Sequence, residues 1–365
     1  MDLPADLAHR PLVPLPPQPA GVPWPTEAWP TGDVPAGVAL EPLLDAVMDP
    51  DGAHACTRAV VVIHRGRLVA ERYGDRTDAW GEVTGEAVGP DTPLLSWSMA
   101  KSMLHAVVGM LVDEGRLALD APAAVPGWGP GDPRATITLQ QLLEMRDGLD
   151  FVEEYAPDPG GAGGVSHVIE MLLGAGEPDV AGFAASRPLA HEPGTTFNYS
   201  SGTTNIVSGV VSRTLGGEEP YRRFLHDRLF GPIGMASADP RFDAAGTWVA
   251  SSYLWATAQD MARFGYLYLR DGIWDGERLL PAGWADHARR PRSIDPVDLR
   301  PYGAQWWVVG DDVGTFWANG YEGQSIMVCP GLDLVVVRLG KSTADRYPAL
   351  VRWRASVVDA FRAAG

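Results

Sequence analysis

Apolar positions follow strand spacing near both ends of the chain and helix spacing between them. Leu40, Leu43, Leu44, Val47 and Met48 recur at helical intervals. Ala59-Val60-Val61-Val62-Ile63 then reads as a buried strand, His64-Arg65-Gly66-Arg67 as a turn, and Leu68 to Tyr73 as the returning partner. Met99, Met103, Leu104, Val107, Val108, Leu111 and Val112 predict an amphipathic helix that stops near Gly115. Thr138 with Gln141, and Thr257 with Asp260, are spaced as capping boxes before apolar runs. Residues 150–182, rich in Gly, Asp and Glu, predict loops around a short helix. Strand patterns return at Gln305–Val309, Ser325–Cys329 and Leu334–Leu339, followed by a closing amphipathic helix through Leu350, Val351, Val357, Val358 and Phe361.

Strands at both ends with helices between them predict an α/β (α+β) fold. One antiparallel sheet is built from both chain ends and flanked by helices, and a largely helical region is inserted in it. The sheet region covers about 39–95 and 300–365, the helical region about 96–299. Ahead of this body lies a Pro-rich arm, residues 1–38. Ten prolines fall in the first forty positions, and a segment with so few N–H donors and so many restricted φ angles is extended.

Charge narrows the partners. With 29 Lys+Arg against 46 Asp+Glu, the formal net charge is −17. Such a surface repels phosphate backbones, so neither nucleic acid nor an anionic membrane is an expected partner. No apolar run approaches the ~18 residues a membrane helix needs. The first residues lack a basic start followed by an apolar core, the pattern of a secretion signal, so a cytoplasmic location is expected. Cys56 and Cys329 then read as two reduced, packed thiols. No His-Glu-x-x-His, Cys/His cluster or phosphate loop is present, so no metal or other cofactor is expected. Gly-x-Ser-x-Gly is absent too. Oligomeric state is not legible.

Three short segments carry candidate chemistry. Ser98-Met99-Ala100-Lys101 places a hydroxyl and an amine one helical turn apart, on one face. Serine needs a base before it is a nucleophile, and lysine can be that base once burial and a helix N-terminus lower its pKa. Lys101 is flanked by Trp97, Met99, Ala100, Ser102 and Met103, not by other charges. Tyr199-Ser200-Ser201 offers a phenol able to relay protons. Gly320-Tyr321-Glu322-Gly323-Gln324 stands immediately before a strand, where glycines permit close backbone approach. Trp97, Trp306 and Trp307 are candidates to wall an apolar pocket, and His105, one turn beyond Lys101, is expected to be packed.

In order and spacing these segments resemble the serine β-lactamase and penicillin-binding-protein superfamily, in its class C β-lactamase and esterase branch. The resemblance spans roughly residues 40–363. The segments Ser98–Ser102, Gln305-Trp306-Trp307 and Gly320–Gln324 are most similar to the 6-aminohexanoate-dimer (nylon-oligomer) hydrolase group. It implies a β-lactamase-like fold and catalysis by an acyl-enzyme, with Ser98 as nucleophile, Lys101 as base and Tyr199 as proton donor to the leaving group. Backbone N–H groups of Ser98 and Gln324 would form the oxyanion hole. Tyr321, Glu322 and Gly323, with Trp97 and Trp306, would contact the substrate, a small-molecule ester or amide.

Two departures qualify that picture. Where penicillin-recognising members carry Lys-Thr-Gly or His-Thr-Gly, this chain has Tyr321 followed by Glu322, so no cation is expected to hold a substrate carboxylate. The substrate is then expected to be neutral or cationic. The Asn that helps bind the amide in the nylon-oligomer group has no counterpart in Val249-Ala250-Ser251-Ser252-Tyr253. The alternatives are β-lactamase or D-amino-acid-peptidase chemistry, and a non-catalytic ligand-binding protein on the same fold.

Overall fold

The computed structural model describes residues 3, 4, 7, 9–77, 83–154 and 166–364. Its main sheet has eight antiparallel strands: β1 (Thr57–His64), β2 (Arg67–Tyr73), β3 (Ser293–Ile294), β4 (Pro301–Tyr302), β5 (Trp307–Val308), β6 (Phe316–Gly320), β7 (Gln324–Cys329) and β8 (Leu334–Gly340). They lie in the order β3-β4-β5-β6-β7-β8-β1-β2. The N-terminal hairpin therefore completes a sheet begun by the C-terminal strands, joined where Val61 pairs with Val337.

Both faces of this sheet are covered, which explains the unbroken apolar runs of β1 and β8. Val60, Val62, Met327 and Val336 face α1 (Glu41–Met48) and the C-terminal α10 (Tyr347–Ala364). Their neighbours Val61, Ile326, Val328 and Val337 face the helical region, as the two-residue period of a strand requires. There α8 (Ala258–Leu269) lies directly on β1, β7 and β8. Gly265 permits this close approach: a Cβ there would stand 2.6 Å from the Ile326 side chain.

Between the two halves of the sheet lie α2 (Ala100–Asp113), α3 (Leu139–Leu143), α4 (His167–Leu173), α5 (Val180–Ala185), α6 (Ser201–Leu215), α7 (Glu218–Phe224), then α8, and α9 (Trp284–Arg289). Helix α2 departs from the amphipathic expectation. Every residue from Ala100 to Leu111 is buried, the polar Lys101, Ser102 and His105 included. It is the central helix of the molecule, and a helix enclosed on all sides carries no solvent face.

The Thr138–Gln141 capping box forms in full. At α8, Thr257 caps the Asp260 N–H, but the Asp260 carboxylate turns to Ser237 and Arg263 instead of back to Thr257. The expected strand Gln305–Val309 shortens to Trp307–Val308, because Gln305 takes a left-handed conformation (φ 56°). Of the predicted loop segment 150–182, residues 155–165 lie outside the described residues, and the remainder holds α4 and α5 instead of one short helix.

From residue 9 onward the Pro-rich arm is largely extended and bound to the body. Its carbonyls accept hydrogen bonds from three buried arginines: Arg289 to Val13 at 2.7 Å, Arg270 to Pro16 at 3.1 Å and Arg263 to Pro25 at 2.7 Å. An extended segment with few N–H donors of its own leaves most of its carbonyls available for such donors. No helix among the described residues is long and apolar enough to cross a membrane.

Candidate active site

Ser98 is the middle residue of a short 3₁₀ turn, Trp97–Met99, that leads into α2. Trp97 occupies the left-handed region (φ 47°), which is unusual for a bulky residue. One turn on, the Lys101 side chain is 1% exposed. Its Nζ donates to Ser98 Oγ, Ser201 Oγ and the Ser251 carbonyl, each at 2.9 Å. Burial lowers the Lys101 pKa to about 8, against the opposing field of Glu153.

Tyr199 and Ser201 arrive together at the start of α6. Ser200 is its N-cap, accepting from the Thr203 N–H at 3.0 Å, so the residues on either side of the cap are held by the helix terminus. The Tyr199 ring lies 5.0 Å from Lys101 Nζ, with its outer face against Trp307, 5.2 Å between ring centres. Burial, followed by the charge of Glu153, holds the Tyr199 phenol above its ordinary pKa, while a hydrogen bond with Ser98 works the other way. A hydroxyl, an amine and a phenol from two segments a hundred residues apart thus meet in one place.

Ser98 and Tyr199 open onto a cleft of about 860 Å³, with Lys101 buried behind them. Ser98, Glu153, Tyr199, Trp307, Asn319 and Gly320 form its floor and walls, and Tyr321 to Gly323 one rim. Trp97 supports that rim edge-on against Tyr321, with ring centres 5.5 Å apart. Gly320 brings β6 against the turn that carries Ser98: a Cβ there would meet the Ser96 carbonyl at 2.5 Å.

Two expected residues stand elsewhere. Trp306 is fully buried in the core, stacked on Phe264 and packed against Tyr268 and Phe316. Its neighbour Trp307 lines the cleft instead, since adjacent residues entering a strand face opposite ways. Gln324 lies behind the cleft wall. It pairs with Gly320 across the β6–β7 turn, and its side-chain amide accepts from the Gly340 N–H at 2.8 Å and donates to the Tyr321 carbonyl at 3.0 Å.

Further residues about the site stand outside the set expected to act in catalysis or contact the substrate, although Ser201 lies in the Tyr199-Ser200-Ser201 segment. Ser201 is the last residue of Tyr-x-Ser, and it donates from N and Oγ to Glu153 at 2.8 and 2.6 Å. The Ser251 carbonyl, in the stretch that lacks the family's Asn, is an acceptor for Lys101. Lys341 pairs with Glu322 at 2.5 Å, so the rim carboxylate is not an isolated anion and a cation does line the cleft. Arg300 is a second, paired with Asp298 at 2.5 Å. Among the described residues no cluster of His, Cys, Asp and Glu could hold a metal ion.

The family model described as Beta-lactamase matches residues 44–358, a span that holds both the sheet and this constellation. The chain belongs to the Beta-lactamase family of serine hydrolases. It is 27% identical over 304 residues to the 6-aminohexanoate-dimer hydrolase of Paenarthrobacter ureafaciens, covering 78% of this chain and 72% of that protein. Among solved structures it is similar to a candidate 6-aminohexanoate-dimer hydrolase from Bacillus anthracis, with TM-score 0.71, 22% identity and coverage of 97% of this chain and 94% of the other. A family VIII carboxylesterase superposes with TM-score 0.67 at 15% identity, covering 90% and 99% of the two chains.

Proposed function

We propose that this protein cleaves a small ester or amide through an acyl-enzyme on Ser98. The observation that carries the reading is the buried Lys101 amine, 2.9 Å from Ser98 Oγ, with its pKa lowered to about 8. Neutral Lys101 takes the Ser98 proton as Oγ bonds to the carbonyl carbon, and the C=O electron pair moves onto oxygen. The Ser98 N–H stabilises that oxyanion. Because Gln324 lies behind the wall, we assign the second donor to the N–H of Tyr321, which follows Gly320 at the cleft. Collapse of the intermediate breaks the bond to the leaving alkoxide or amine, which takes a proton through Tyr199. Water then attacks the acyl group, and Ser98 regains its proton.

Substrate charge follows from the cleft. Glu153, Glu154, Asp295, Asp298 and Glu322 line it against Arg300 and Lys341, and both cations already have carboxylate partners. A neutral or cationic substrate suits that balance. The amide specificity named for the Paenarthrobacter relative and the ester specificity named for the carboxylesterase are the two substrate classes we assign to the site. The Lys341 ammonium on the cleft wall favours a second reading, β-lactam or D-amino-acid-peptide hydrolysis, because it could hold a substrate carboxylate after parting from Glu322.

The test is an assay with 4-nitrophenyl acetate. It should give a burst of nitrophenol and a mass increase of one acetyl group on Ser98, both lost in Ser98→Ala. Unchanged hydrolysis by Ser98→Ala, or no adduct on Ser98, rejects the acyl-enzyme and leaves the ligand-binding alternative. Nitrocefin turnover that vanishes in both Ser98→Ala and Lys341→Ala would establish the second reading.

A further inference from the structure

Glu153 lines the candidate site beside Ser201. Its two carboxylate oxygens take both donors of Ser201, the backbone N–H at 2.8 Å and the hydroxyl at 2.6 Å. A serine hydroxyl has one proton. With that proton committed to Glu153, Ser201 Oγ can only accept from Lys101, which it does at 2.9 Å. The second fixed partner of Lys101, the Ser251 carbonyl, is an acceptor by nature. Ser251 is held in turn by Asn205, whose side chain accepts from the Ser251 N–H at 3.1 Å and donates to its Oγ at 3.2 Å.

The consequence concerns the neutral amine, the form a general base must adopt. It has two N–H bonds and one lone pair. Ser201 Oγ and the Ser251 carbonyl occupy the two N–H bonds, so the lone pair faces the remaining neighbour, Ser98 Oγ, at 2.9 Å. If Ser201 could turn its proton toward Lys101, it would occupy that lone pair and leave Ser98 facing an N–H.

We propose that Glu153 is a positioning residue that locks Ser201 as an acceptor and thereby aims the Lys101 lone pair at the nucleophile. The proposal rests on the acyl-enzyme reading above. Lys101 is faced by Ser98, by Tyr199 and Ser201 from the start of α6, by Ser251, and by Glu153 behind Ser201. Glu153 and, across the Tyr199 phenol, Arg300 supply the charges. The carboxylate also raises the Lys101 pKa against burial, which gives the proposal a signature distinct from simple structural support.

The test is the pre-steady-state acylation rate with 4-nitrophenyl acetate from pH 5 to 10, for the wild type, Glu153→Gln, Ser201→Ala and the double variant. Glutamine replaces one of the two accepting oxygens with an NH2 donor and carries no charge. Glu153→Gln should acylate about tenfold or more slowly on the alkaline plateau, within the range a positioned base supplies, and its acidic limb should move to lower pH. Because Glu153 acts through Ser201, the double variant should be no slower than the slower single variant. A Glu153→Gln plateau within twofold of wild type overturns the proposal. So does a lowered plateau with an unmoved limb, or single effects that multiply in the double variant. Should Glu153→Gln unfold, Ser201→Ala carries the test alone: a plateau within twofold of wild type overturns the proposal. Absence of any Ser98 adduct in the wild type is a separate result that rejects the acyl-enzyme reading itself.

Discussion

Lys101 Nζ and Ser98 Oγ stand 2.9 Å apart, with the amine enclosed by Ser201, Ser251 and the Tyr199 ring. Solvent is excluded on the lysine side, while Ser98 and Tyr199 line the cleft. On the acyl-enzyme reading proposed above, that enclosure suits the amine to serve as the base for Ser98.

Its protonation state should therefore control the rate. Burial lowers the Lys101 pKa from 10.5 to about 8, and only the neutral amine accepts a proton. Below about 8, kcat/KM should fall tenfold per pH unit, and above it should level off. Lys101→Arg, which stays charged throughout, should lower kcat/KM by about 10²–10⁴-fold. A pH–rate profile with no acidic limb near 8 would remove Lys101 from the mechanism.

Gly320 has no room for a side chain, since a Cβ would lie 2.5 Å from the Ser96 carbonyl. Gly320→Ala should push the end of β6 away from the nucleophile turn and cost about 1–3 kcal/mol in stability. The surviving folded protein should acylate more slowly. Thermal melts and single-turnover rates check both parts, and wild-type values in both would contradict the close approach.

The two adjacent tryptophans should separate stability from kinetics. Trp306→Ala removes a fully buried ring and should cost about 3–5 kcal/mol while leaving the kinetics of the folded fraction near wild type. Trp307→Ala takes away the ring against Tyr199 and should lower kcat/KM in protein that is still folded. Denaturant melts combined with steady-state kinetics on both variants decide this, and the reverse pattern would contradict the assigned faces.

A buried histidine pair should make stability acid-sensitive. His105 Nε2 and His287 Nδ1 lie 3.0 Å apart, with Tyr268 and Gln140 at the outer ends. Burial lowers the His287 pKa from 6.5 to about 4, and burial together with His287 pushes His105 down as well. The unfolded chain then binds more protons than the folded one below pH 6.5, so each histidine removes stability as the pH falls toward 4. The slope is about 1.4 kcal/mol per pH unit for each histidine. His287→Gln should flatten the decline measured by urea unfolding between pH 6.5 and 5. An identical slope in that variant would show that the pair is not responsible.

Much of this molecule was legible in the sequence because local periodicity reports burial. Val60–Val62 and Leu334–Leu339 read as strands since both sheet faces are covered, and Thr138–Gln141 announced a helix start through chemistry confined to four residues. Ser98 and Lys101 were legible for the same reason: one helical turn joins them. Helix α2 misled because its apolar spacing suggested one buried face, whereas every residue from Ala100 to Leu111 is buried.

What the sequence determined by itself was which elements form and which short segments could carry chemistry. Tertiary structure decided the rest: Trp307 and not Trp306 at the cleft, Glu153 behind Ser201, the Ser251 carbonyl beneath Lys101, and Lys341 beside Glu322. Each of those contacts joins residues far apart along the chain or depends on which face of a strand a side chain takes. No local pattern encodes such partners, because they are chosen by how the packed elements come to rest against one another.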